Sequence, residues 1–145
     1  MAHEERGRIV VGVDGSPSST QALTWALRQA EITGASIEAV HAWQIPMTYG
    51  APVAVLPGED FAESAERALA ESVDEVLGGR EDLPVRRIAE HGLPAKVLLE
   101  HSQDAELLVV GSRGRGGFKG LLLGSVSLHC VTHAHCPVVV LRHED

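Results

Sequence analysis

The stretch from Gly111 to Ser127, GSRGRGGFKGLLLGSVS, interleaves six glycines with Arg113, Arg115 and Lys119. Flexible backbone costs folding entropy and clustered like charges repel, so the stretch needs a compensating partner. Its last residues open a helical pattern. Free N–H groups at a helix start, with the dipole behind them, make an anion site. Glycines let the main chain approach an anion closely and turn successive N–H groups onto it. Ser125 and Ser127 add hydroxyl donors, and the three cations add charge. A polyphosphate fits this combination best. The plainer reading is a flexible turn with a solvated basic face.

A strand precedes the loop: Ala105 to Gly111 (AELLVVG) is almost wholly apolar. Arg8 to Val13 (RIVVGV) is the same kind of run, the pattern of a strand buried on both faces. After DGSPSS a helical stripe follows, Ala22, Leu23, Ala26, Leu27 and Ala30, with Ser16 as N-cap, Pro17 as first residue and Gly34 as stop. Ser36 to Trp43 reads as a second strand. Gln44 to Gly58 is a long loop with three prolines, either a binding lid or an ordinary surface insertion. Glu59 to Leu77 is an amphipathic helix with Phe61, Ala65, Leu69, Ser72 and Val76 on one face, ended by Gly78-Gly79.

Pro84 to Glu90 is a more polar strand, nearer an edge; Pro94 to Ser102 is a short helix, Ser125 to Ala134 another, and Pro137 to Leu141 the last strand. Strand and helix alternate throughout. That order calls for an α/β fold, a mostly parallel doubly wound sheet with helices on both faces. Ligands bind such sheets beyond the strand carboxyl ends, where the winding reverses. If the first and fourth strands are neighbours, Gly12-Val13-Asp14-Gly15 and Gly111-Ser112-Arg113-Gly114 face one crevice.

A chain of 145 residues fits one domain spanning 1–145, and 44% apolar with 22% charged residues is an ordinary globular composition. The net charge of −8 argues against non-specific binding to nucleic acid or anionic membranes, and sets the basic loop against the global sign. No run approaches the roughly 20 apolar residues of a membrane span, and MAHEERGRIVV has no signal-peptide pattern. Cys130 and Cys136 are too few for a disulfide framework. A cytoplasmic location is expected.

Two familiar phosphate loops fail. No lysine here follows a glycine and precedes Ser or Thr, as a P-loop requires. A dinucleotide fingerprint starting at Gly114 and Gly116 meets Lys119 where its third glycine belongs. The spacing that fits is G-x2-G-x9-G-[ST], met by Gly111, Gly114, Gly124 and Ser125. With IVVGVDGSPSS at the start, AELLVVGSRG and the closing HAHCPVVVLR, the chain resembles the universal stress protein family over nearly its whole length. The resemblance implies a Rossmann-like five-stranded sheet in the order 3-2-1-4-5, usually in a homodimer.

It also implies a site. In the ATP-binding branch of that family the glycine motif wraps phosphates and ribose. The matching positions here are Gly111, Gly114, Gly124 and Ser125, with Ser112, Arg113, Arg115, Gly116 and Gly117 inside the wrap and Val126 and Ser127 after it. Asp14 matches the aspartate after the first strand, a partner of the ribose or of Mg2+ on the nucleotide; Gly12 would lie beneath the nucleotide, and the backbone of Val40 would read adenine. ATP with Mg2+ is the implied ligand.

Plainer readings stand beside these. Asp14 in Asp-Gly is also a turn or capping residue. His129, Cys130, His133, His135 and Cys136 invite a metal reading, but imidazoles near a helix C-terminus also complement its dipole, and the resemblance absorbs HAHCPV as structural. Trp25 and Trp43 read as packing residues, with an approach of Trp43 and His41 to the base left open. An apolar last strand at a sheet edge templates association, so a second copy pairing along Val138 to Leu141 is expected.

Fold does not choose among functions. The first is a nucleotide-binding regulatory or stress-response protein acting through conformation or assembly. The second is a slow ATPase or ATP-using enzyme, disfavoured because no Walker lysine or water-positioning base is evident and GVDGSPSS departs from the SGG-x-DS of ATP pyrophosphatases. The third is a chaperone-like dimer without ligand.

Overall fold

The computed structural model describes residues 7–45, 47–48, 51–52, 58–113 and 123–142. Five strands form one parallel sheet: β1 (Arg8–Gly12), β2 (Ser36–Trp43), β3 (Val85–His91), β4 (Leu107–Gly111) and β5 (Val138–Leu141), in the order β3-β2-β1-β4-β5. Four helices connect them: α1 (Pro17–Thr33), α2 (Gly58–Leu77), α3 (Pro94–His101) and α4 (Ser125–His133). The expected 3-2-1-4-5 sheet is the one observed. Between β2 and α2, Met47–Thr48 pairs with Ala51–Pro52 in a miniature antiparallel ladder, within the stretch expected to be a loop throughout.

Strand parity divides the core. Ile9, Val11, Val13, Ile37, Ala39 and Val109 face α1 and α2; Val10, Val40, Leu108 and Val110 face α3 and α4. The apolar stripe of α1 is buried as expected. On α2 the buried line is Ala65, Leu69, Val73 and Leu77, a strict i+4 row, with Ser72 and Val76 at its margin. Cys130 is the buried anchor of α4 against the second core.

The ends of the elements follow local chemistry. Ser16 caps α1 by accepting from Ser19 N at 3.3 Å, and Pro17 follows it. Gly34 closes the same helix in the left-handed region at φ 81°. Near the amino ends of the strands, the side chain of Glu38 is only 11% exposed yet balanced by Arg8 at 3.3 Å, Arg86 at 3.8 Å and His101 at 3.8 Å. No helix among the described residues is long and apolar enough to cross a membrane.

Candidate functional site

β1 pairs with β2 on one side and with β4 on the other, and the winding reverses between β1 and β4. The two loops that follow β1 and β4 therefore meet. Ser18 Oγ, in the first turn of α1, donates to the carbonyl of Arg113. The approach is close because Gly111 has no side chain: a Cβ there would lie 2.7 Å from the carbonyl carbon of Ser18. That gap is far inside van der Waals contact, so only glycine fits without moving α1 or β4.

The glycine loop is tied at its base. Ser112 N–H donates to Leu141 O of the edge strand at 2.7 Å, and Ser112 O accepts from Gly124 N–H at 2.6 Å and from Ser127 Oγ at 2.9 Å. Of the two hydroxyls expected to add donors, that of Ser127 is thus committed inside the protein and that of Ser125 is exposed. Gly124 is the N-cap of α4 and supplies no capping oxygen. The amides of Ser125, Val126 and Ser127 precede the first intrahelical bond, Leu128 N to Gly124 O at 2.9 Å, and meet no acceptor among the described residues. Gly114, Arg115, Gly116 and Gly117 lie outside the described residues.

Asp14 fulfils the turn reading made of it. Its Oδ1 accepts from Ser16 N at 2.9 Å, which shapes the turn into α1, and its own N–H donates to Ser19 Oγ at 3.2 Å. Its second carboxylate oxygen has no partner among the described residues. Gly12 and Val40 sit differently from the loop residues. The side of Gly12 that would carry a Cβ faces α3, with Leu98 Cδ1 2.9 Å from that position. Val40 is buried in the α3/α4 core, and its carbonyl already accepts Val13 N–H at 2.8 Å.

The open space lies on the other face. A cleft of about 350 Å³ at the carboxyl ends of β1 and β2 is lined by Val13, Asp14, Gly15 and His41, with Ala68, Leu69, Glu71, Ser72 and Glu75 of α2 as its far wall. His41 Nδ1 is 2.8 Å from the carbonyl of Val13. Ligand pockets run from roughly 300 to 1,000 Å³, so the cleft has the size of a nucleoside site. The sequence signal for His41 and the α2 wall was weak, because each is an unremarkable residue until the fold brings them together.

Trp43 packs edge-on against His91 at 4.8 Å, a rim contact. The rings of His129 and His133 stand 4.6 Å apart on α4, and no group of three or more side chains among the described residues is arranged to hold a metal ion. Burial pushes the Cys130 thiol up to about 11, aided by its proximity to Cys136, whose own thiol is also raised by burial.

A family model, the universal stress protein family, matches residues 5–142. The chain belongs to the universal stress protein family. Among relatives, universal stress protein Rv2005c of Mycobacterium tuberculosis is 40% identical over 137 residues, covering 92% of this chain and 45% of its own length. A universal stress protein of Mycolicibacterium smegmatis is 39% identical over 144 residues, covering 97% of this chain and 47% of its own. The chain thus spans about half the length of the curated relatives it matches. Among solved structures, universal stress protein UspA of Lactobacillus plantarum superposes with a TM-score of 0.76 at 20% identity, covering 97% of this chain and all of its own. A universal stress protein in complex with cAMP superposes at 0.70 with 26% identity, covering 96% of this chain and 98% of its own.

Proposed function

We propose that this universal stress protein binds an adenine nucleotide, ATP with its Mg2+, across the carboxyl edge of the sheet, and acts in the stress response through nucleotide-dependent conformation or assembly. The observation that carries this reading is the bare start of α4. Three amides with a helix dipole behind them lack an acceptor among the described residues, at the end of a glycine- and arginine-rich loop clipped to α1. A phosphate supplies that acceptor. Asp14 lines the cleft at the carboxyl ends of β1 and β2, with one carboxylate oxygen unengaged among the described residues, and suits a ribose hydroxyl or the phosphate-bound cation. Mg2+ would enter with the nucleotide, since Asp14 alone is a poor cation site. The similar protein that holds cAMP supports an adenine nucleotide as the class.

No lysine stands in the cleft lining, whose titratable groups are Asp14, His41, Glu71 and Glu75. Phosphate stabilisation alone permits slow hydrolysis. A homodimer along the outer edge of β5 completes the reading. All four of its residues are only half-buried, and Leu128 and Val131 of the adjacent α4 are exposed.

Native mass spectrometry and thermal melts test this together. Co-purified nucleotide, a dimer mass and a raised Tm in Mg-ATP are expected; ligand at 100 times its Kd adds about 2.7 kcal/mol. Turnover below one event per minute is expected. No Tm shift at millimolar ATP would favour the chaperone-like alternative, and tens of turnovers per second would favour an enzyme.

A further inference from the structure

We propose that His41 selects the base of the bound nucleotide, accepting a hydrogen bond from an exocyclic amine through Nε2; this rests on the nucleotide reading above. A carbonyl oxygen only accepts, so the 2.8 Å contact with Val13 O fixes the proton of His41 on Nδ1. In the neutral ring Nε2 is then an acceptor. No other group among the described residues meets it, and the ring lines the cleft.

Topology sets which part of the ligand His41 meets. The phosphate loop rises from β4, Asp14 follows β1, and His41 stands on β2, on three consecutive strands of the sheet. Strands lie about 4.8 Å apart, so the three form a row about 10 Å long. A nucleotide laid along that row puts phosphate over β4, ribose over β1 and base over β2. The wall opposite His41 carries Glu71 and Glu75, whose carboxylates also only accept. An acceptor-lined cleft favours a base edge bearing an amino group and disfavours one bearing a carbonyl. It also repels phosphate, which fixes the direction in which the nucleotide lies. The ligand class is therefore a 6-aminopurine nucleotide in preference to its 6-oxo counterpart.

Titration calorimetry with ATP, ITP and purine riboside triphosphate, which lacks the amine, tests this on the full chain. The wild type should bind ATP about tenfold more tightly than purine riboside triphosphate, the factor for one hydrogen bond, and ITP no better than the latter. His41→Asn keeps an N–H for Val13 O but has no atom at Nε2, and should bring the ATP to purine riboside triphosphate ratio near one. His41→Gln, which reaches further, should restore part of it. Equal wild-type affinities for ATP and purine riboside triphosphate, or a ratio unchanged in His41→Asn, overturns the role of His41 while leaving nucleotide binding intact. Absence of any adenine-nucleotide binding overturns both readings.

Discussion

Gly124 occupies a position where helices ordinarily carry Ser, Thr, Asp or Asn, and its φ of −75° with extended ψ makes no demand for glycine. What matters there is the missing side chain, which leaves the first amides of α4 to an outside acceptor. Gly124→Asp should therefore separate stability from binding. A capping carboxylate satisfies the free amides and suits the dipole, so urea denaturation should show stability unchanged or raised by a few tenths of a kcal/mol. The same carboxylate competes with phosphate, so calorimetry should show affinity for Mg-ATP falling tenfold or more. Gly111 contrasts with it, because its constraint is steric and comes from Ser18. Sequence spacing singled out both glycines alike. Only the packing of α1 against β4, between residues some 95 apart in the chain, tells their roles apart.

Among the elements, α4 is short, carries exposed Leu128 and Val131, and is held down chiefly by Cys130. A thiol pushed up to about 11 by burial is almost wholly protonated at pH 8. Native protein treated with iodoacetamide at that pH should modify Cys136 slowly and leave Cys130 untouched until the chain unfolds, as peptide mass spectrometry would show. The linkage has a definite sign. An unfolded chain releases this proton at lower pH than the folded one, so the stability contribution of Cys130 is whole at neutral pH and is lost as pH rises toward about 11. Much of this level was legible in the sequence. Short apolar runs gave β1 and β4, the i, i+4 stripe gave α1, and Ser16-Pro17 and Gly34 gave its ends. The pair formed by Met47–Thr48 and Ala51–Pro52 was not, since two-residue strands carry no period. The place of His41 in the cleft lining was not either. Neighbours on a strand face opposite ways, and only the placement of α2 reveals which side holds the cleft.

For the whole molecule, the exposed flank of β5 is where association is expected. Leu108 N–H and Ser112 N–H take the carbonyls of Pro137 and Leu141 at 3.0 and 2.7 Å, and the alternation of a parallel ladder leaves the N–H groups of Val138 and Val140 on the outer side. Val140→Pro removes one of those donors without touching the bonds to β4. Light scattering should show the wild type at twice the chain mass and this variant at or near the monomer, with unchanged circular dichroism. A wild type that is monomeric at tens of micromolar would refute pairing along this edge. Leu141 has a second allegiance, since its carbonyl is what anchors Ser112, the first residue of the loop beyond β4. Any neighbour that straightens or bends this border strand therefore tugs on the root of the glycine loop. Thermodynamic reciprocity then requires that a nucleotide favouring the pair be held more tightly by the pair, in equal measure. On the proposed reading, nucleotide supply is reported as a change in company.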